Sequence, residues 1–392
     1  MSGQTLATSE GLNAVLGSLR AEGFQPPTSP GPKWVGSVIP AALWSVAPTS
    51  QFADAEAAKA LGLEPARQAV VIMVDGLGQI PLTQHLSYAH TLRSFADQGT
   101  SGQTILPSTT AAALTAFGTG KLPGATRMVG YSVVSGPGRT MTLLNFEPET
   151  APEQWQAQPT LFEFLGEEGA ELTLITKPRF RDSGLTRAAF RGAAFVGRDT
   201  IYERFDAALA GLAAGAPLQV VYWADIDHTG HGRGVGSPQW LAALEEFDRA
   251  LGGFLAALPS QVTVVMTADH GMVNVKEIID VAETPALLQD VPVIAGEGRA
   301  VHLHAEPGKE AEVVQRWTDY LEGKADVVPA EEVGRLIGPG PGDKHVGAAL
   351  VLARGRTVIL DSRTQKPSVF QMVGVHGSYT REEMAIPTWR LA

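Results

Sequence analysis

Asp75 ends the apolar run AVVIMVD, Asp227 and His231 follow QVVYWA in the stretch DIDHTGHG, Asp269 and His270 close VTVVMTADH, and His376 follows VFQMVGV. Runs of this kind are the pattern of strands buried on both faces, and in open α/β sheets ligands bind beyond the carboxyl ends of the strands. A single aspartate after a strand is a common turn or cap residue, and a single histidine is often a satisfied polar group. Three carboxylates and three imidazoles gathered at one sheet edge instead supply hard and borderline donors for two divalent metal ions. The i, i+4 spacing of Asp227 and His231 puts both on one face if that segment is helical. Asp269 and His270 are adjacent and would point apart on a regular strand. They can serve one ion only where the backbone turns, which Gly271 permits.

A hydroxyl joins this set in LPSTTAAALTAFGTG, residues 106–120. Pro107 stops the preceding strand, and the alanines with Leu114 and Phe117 at i, i+3 favour a helix. A serine or threonine at its start makes a good N-cap, while the free N–H groups and partial positive charge of a helix start also favour phosphate. A threonine hydroxyl is a weak nucleophile at neutral pH and needs a base or a metal. Two ions about 4 Å apart would hold the attacking oxygen at one and the leaving oxygen at the other. Ala113 offers no polar group, so phosphate oxygens would have to meet backbone N–H groups, the ions or a cation. Lys121, Arg127, Lys177, Arg179 and Arg181 are the nearby cations, each read first as a solvated surface charge.

The elements that must position these groups alternate. LTLIT, QVVYWAD and VTVVMTAD each follow a segment with helical spacing, such as LFEFLGEEG or LAALEEFDRALGGFLAAL, which predicts a doubly wound α/β core with a mostly parallel sheet. Three parts are expected: an N-terminal approach segment over 1–68 with the extended linker QPPTSPGPK, a catalytic core over 69–275 plus 373–392, and a smaller α+β cap insertion over 276–372. In the cap, His302 and His304 of AVHLHA share one strand face and read as a polar surface. His228 reads as solvent-exposed.

Composition narrows the partners. The 392 residues carry a formal net charge of −11, which argues against general affinity for nucleic acid or anionic membrane. There is no cysteine, so any transition metal must be held by His, Asp and Glu, a set that suits catalytic zinc. The start MSGQTLATSEGLNAVLG lacks a secretory pattern, and the apolar stretch 34–47 is too short to span a bilayer, so a cytoplasmic protein is expected.

The order VDGLG, LPSTTAAALTAFGTG, DIDHTGHG, TADHGM, VHG resembles the alkaline phosphatase superfamily, specifically bacterial members of its type I phosphodiesterase/nucleotide pyrophosphatase family, from about Ala69 to Pro387. In that family a threonine follows a proline by three residues and precedes a Thr-Gly by nine. Pro107, Thr110 and Thr119-Gly120 reproduce this, so the resemblance selects Thr110 as the nucleophile. It implies that Asp75, Thr110, Asp269 and His270 share one zinc ion, and that Asp227, His231 and His376 hold the other. The implied activity is hydrolysis of phosphodiester or pyrophosphate bonds in small, nucleotide-like substrates through a covalent phospho-threonine. A phosphomonoesterase, phosphonate hydrolase or phosphomutase would use the same chemistry. A metal-stabilised binding protein without catalysis is the reading from a different class.

Overall fold

The computed structural model describes residues 8–169 and 171–392, so the first seven residues of the expected approach segment lie outside the described residues. The strands of its two larger sheets in chain order are β1 (Gln68–Val74), β2 (Ser101–Gln103), β3 (Leu172–Thr176), β4 (Ala194–Gly197), β5 (Leu218–Trp223) and β6 (Val262–Thr267). Next come β7 (Val293–Glu297), β8 (Ala300–His304), β9 (Ala325–Pro329), β10 (Ala349–Ala353) and the C-terminal β11 (Ala385–Arg390).

One sheet of seven strands runs β2-β11-β6-β1-β5-β3-β4. Its five strands from β6 to β4 pair in parallel, and β11 is antiparallel to both β6 and β2. Every residue of β5 and β6, and all of β1 after Gln68, is buried, because helices cover both faces. The doubly wound α/β reading of the sequence therefore holds. β5 and β6 lie on either side of β1 and run parallel to it. The carboxyl ends of these three strands therefore lie together, the place where ligands bind in open α/β sheets.

The first segment does more than lead into the core. The helix Val38–Val46 is buried over most of its length, with Pro40 tolerated in its first turn. The proline-rich stretch is not a free linker: Gln103 donates its N–H to Lys33 O (3.0 Å), and Gln25 N–H donates to Gln103 Oε1 (2.8 Å). It straps the edge strand β2 and satisfies backbone groups that an open edge would expose.

A second, antiparallel sheet runs β7-β8-β10-β9, and the helix Glu310–Tyr320 lies against it with Trp317 fully buried. Val301, Leu303, Trp317 and Val351 belong to its own apolar cluster. His302 departs from its expected place on a polar surface. It is fully buried, its Nε2–H donates to Val129 O at 3.1 Å, and its Nδ1 has no partner. The strand face that looked open from periodicity is covered by the segment around Val129.

Burial pushes the pKa of His302 down to about 3 and that of His304 to about 4. A histidine whose folded pKa lies below its unfolded value of about 6.5 contributes stability that is complete above pH 6.5 and is lost as pH falls toward the folded value. Unfolding in urea should therefore need less denaturant at pH 5 than at pH 7, by about 1.4 kcal/mol per pH unit for each such group. His302→Gln keeps a donor for Val129 O and removes the titration, so its loss over the same interval should be smaller. Equal losses for wild type and variant would contradict this assignment.

Candidate active site

All seven residues singled out in the sequence meet at the carboxyl ends of β1, β5 and β6. Asp75 follows β1 directly and is 3% exposed. The helix α1 (Thr110–Thr119) starts beside it, and α2 (Asp225–Arg233) begins two residues after β5. Asp227 and His231 fall on one face of α2, as their spacing requires, with His231 Nε2 3.3 Å from Asp227 Oδ2.

Two glycines permit the convergence by close approach. Gly76 has φ +70°, and a Cβ there would lie 2.9 Å from Asp227. A Cβ on Gly271 would lie 1.9 Å from the Glu382 carbonyl oxygen. The turn after His270 thus needs glycine for space against the C-terminal segment.

Thr110 is the first residue of α1, and Thr109 holds the N-cap position without a side-chain capping bond. Cap and candidate nucleophile are therefore neighbouring residues. Thr110 Oγ1 lies 3.1 Å from His270 Nε2, which is itself 3.4 Å from Asp269 Oδ2 and 3.6 Å from Asp75 Oδ1.

The three imidazoles share one arrangement. Nδ1 of His270, His231 and His376 lies 3.0, 2.8 and 3.0 Å from the carbonyl oxygens of Gly271, Gly374 and Ser108, respectively. A carbonyl can only accept, so each Nδ1 carries a proton and each Nε2 faces inward, where it offers a lone pair once it is unprotonated. His231 and His376 Nε2 are 3.3 Å apart, and the His270 and His376 rings stack at 3.7 Å.

The carboxylates are left incomplete. Asp75 Oδ1, Asp227 Oδ1 and Asp269 Oδ2 are buried without a hydrogen-bond partner. Burial, then the Asp269 and Asp227 charges, raises the Asp75 pKa well above the usual range, although the Tyr222 hydroxyl donates to its other oxygen. Asp269 is also raised, chiefly by burial. Asp227 goes the other way: burial is outweighed by His231 and His376, which hold its pKa low. The converse attraction outweighs burial at His231 and lifts it to about 9, while burial and His270 push His376 well down.

Among the described residues, two groups have donor atoms close enough to hold one ion each: Asp227 with His231 and His376, and Asp75 with Asp227 and His270. Asp227 thus stands between the two groups, whereas the sequence reading assigned it to one. Orphaned carboxylate oxygens facing imidazole lone pairs fit divalent cations by donor chemistry.

A cavity of about 260 Å³ opens beside Thr110 and Asp75. Leu114, Leu144, Leu174, Phe180 and Phe190 form its apolar wall, and Asn145, Arg179 and His228 are on its polar side. His228 is exposed, as read from sequence. Arg179 is exposed, as read from sequence, and also borders this cavity, whereas Lys177 pairs with Asp225 and Arg181 lies over Phe195. Ala113 is wholly buried.

Sequence reasoning missed Asn145, Tyr222 and Glu297. Glu297 ends β7, and its Oε2 reaches within 4.0 Å of His376 Nδ1; burial lifts its pKa to about 8. Only Tyr222 left a trace in the sequence: a phenol inside a wholly buried strand must find a partner. Asn145 and Glu297 come from a loop and a distant strand end with no motif around them.

Among the described residues no helix is long and apolar enough to cross a membrane. Comparison with curated proteins finds no match. Solved structures share the fold at low identity. Murine ectonucleotide pyrophosphatase/phosphodiesterase 5, in an inactive form in complex with AMP, superposes with a TM-score of 0.64 at 16% identity over 82% of this chain and 87% of that one. Phosphonoacetate hydrolase from Sinorhizobium meliloti in complex with phosphonoformate gives 0.63 at 16% identity over 83% and 89%. The sequence pattern of type I phosphodiesterases/nucleotide pyrophosphatases matches residues 69–379, most of the chain, so the protein belongs to the type I phosphodiesterase/nucleotide pyrophosphatase family and is a hydrolase of that type.

Proposed function

We propose that the protein hydrolyses phosphodiester or pyrophosphate bonds of small, nucleotide-like substrates through a covalent intermediate on Thr110, with two zinc ions as cofactors. The observation that carries this reading is the set of three imidazoles, each committed through Nδ1 to a backbone carbonyl, turned toward three unpartnered carboxylate oxygens beside Thr110. His231 and His376 with Asp227 would hold one ion, and Asp75, Asp269, His270 and the Thr110 oxygen the other, with Asp227 near both. When bound, the ions lower the pKa of the threonine hydroxyl and neutralise charge on the phosphoryl and leaving oxygens.

The chain's own groups do the rest. Thr110 Oγ1 gives up its proton to solvent and forms the new bond to phosphorus as the bond to the leaving alcohol or phosphate breaks, and the leaving oxygen takes a proton from solvent. Water then attacks phosphorus on the far side from Oγ1, the Thr110 ester breaks, and the hydroxyl regains its proton. The start of α1, whose first N–H groups lack a side-chain cap, faces the phosphoryl oxygens. The apolar wall beside Thr110 excludes water and receives the substituent on phosphorus.

AMP and phosphonoformate are the ligands of the two solved relatives, and both are small phosphorus oxyanions. Metal analysis combined with bis-p-nitrophenyl phosphate, p-nitrophenyl phosphate, a nucleotide and phosphonoacetate as substrates tests the proposal. Two zinc ions per chain and fastest turnover of the diester or the nucleotide are expected. Two bound ions with no turnover on any of the four would instead mark a binding protein.

Arg179 is the cation placed to meet the anion in this cavity. Arg179→Ala should lower kcat/KM by roughly 10- to 100-fold, the loss of one charge-assisted hydrogen bond of about 1.5–3 kcal/mol. Unchanged steady-state kinetics would return Arg179 to the solvated surface.

A further inference from the structure

His376 sits on a loop and Thr110 at the start of α1, and the segments that lead to them are not held by the main sheet alone. Between them and the second sheet lies a buried ion pair. Arg299, the residue before β8 and 1% exposed, donates from Nε to Glu383 Oε1 (3.0 Å) and from Nη2 to Glu383 Oε2 (2.6 Å). Its Nη1 donates to the Thr357 carbonyl at 2.5 Å.

Glu383 is fully buried and is tied to the site twice. Oε1 accepts from the Ser378 N–H at 3.0 Å, and its backbone carbonyl accepts from the Gly271 N–H, next to His270, at 2.9 Å. Ser108 continues the chain of contacts. Its hydroxyl donates to the Ser378 carbonyl (2.5 Å) and accepts from the Gly377 N–H (3.2 Å), while its own carbonyl accepts the His376 Nδ1–H (3.0 Å). Ser378 Oγ also donates to the Ala353 carbonyl of β10 at 2.7 Å.

We propose that Arg299 is a positioning residue: through Glu383 and Ser108 it fixes the orientation and tautomer of His376 and the backbone entering α1, and so sets the affinity of the ion that His376 holds. This rests on the reading of His376 as a zinc ligand given above. The physical case is that a ligating imidazole is only as well placed as the acceptor of its other N–H, here the Ser108 carbonyl. Ser108 is in turn placed by Ser378, and Ser378 by the Glu383 carboxylate, which the Arg299 guanidinium holds in a bidentate pair. Arg299, beside the second sheet, thereby supports the metal site without touching it.

The test is calorimetric titration of the metal-free full chain with zinc. R299M/E383L removes both charges together, so no buried charge is left unpaired. It should weaken one of the two zinc sites by about 10- to 100-fold. R299K keeps the charge but loses the bidentate fork, so its affinity at that site should fall between those of wild type and the double variant. S108A deletes a single oxygen and spares the fold; it should weaken the same site by about 3- to 10-fold. R191M/E163Q, an ion pair with Arg191 Nε 2.7 Å from Glu163 Oε1 and away from the site, should lower the melting temperature and leave both affinities unchanged. Zinc affinities within about twofold of wild type in R299M/E383L, or in S108A should the double variant not fold, overturn the inference, as does an equal loss in R191M/E163Q. A wild-type chain that binds no zinc overturns the reading of the site itself, and this inference with it.

Discussion

Thr110→Ala should abolish turnover, lowering kcat by roughly 10³-fold or more, while the protein still takes up divalent metal. The size of the effect follows from the place of the hydroxyl. It is the group 3.1 Å from His270 Nε2 at the mouth of the cavity, and Thr109, the neighbouring hydroxyl, is buried. The alanine at 113 and the apolar wall provide no replacement oxygen. Metal uptake persists because the carboxylates and imidazoles are untouched. Thr110→Ser keeps an oxygen at the same point and should retain measurable activity. Steady-state rates with zinc content measured on the same samples check both statements, and full activity in Thr110→Ala would remove the proposed nucleophile.

The second large effect comes from taking the ions away. Without cations, Asp75, Asp227 and Asp269 face one another in a buried space, and burial together with mutual repulsion raises Asp75 and Asp269. An aspartate whose folded pKa exceeds its unfolded value of about 3.9 disfavours the folded state when it is ionised at neutral pH; the penalty fades as pH falls toward the unfolded value. Bound zinc reverses this, adding about 4 kcal/mol per site at a thousandfold excess over Kd. Chelation should therefore lower the melting temperature sharply and abolish turnover. Asp75→Asn should act with opposite signs in the two forms. The metal-free variant should melt above metal-free wild type, because one repelling charge is gone. With zinc present it should melt below wild type, because a ligand is gone. Thermal unfolding of both proteins with and without chelator measures all four states, and a variant that shifts both forms in the same direction would contradict the electrostatic account.

The sequence revealed most where one rule governed each residue. Apolar runs ending in aspartate marked β1, β5 and β6, and parallel pairing then forced their ends together, so Asp75, Asp227 and Asp269 meet whatever lies between them. The i, i+4 pair on α2 needed only a helix. Legibility failed where a side chain's surroundings come from a distant segment. His302 looked exposed because period two describes a strand face and cannot say what covers it. Asp227 was assigned to one ion, yet its nearness to both groups depends on Gly76 admitting it, a contact 151 positions back in the chain from Asp227. Glu297 and the Arg299–Glu383 pair carry no motif, since their partners are set by the docking of the second sheet. The strap over β2 was read as a linker because proline content reports stiffness and not what the segment touches.

The central claim is that phosphorus passes through Thr110. The stereochemical course at phosphorus tests it most directly: a phosphorothioate diester of one configuration is hydrolysed in isotopically labelled water and the configuration of the product is determined. Two successive in-line displacements, one by Thr110 Oγ1 and one by water, predict net retention. Net inversion would mean a single direct attack by water and would contradict the account.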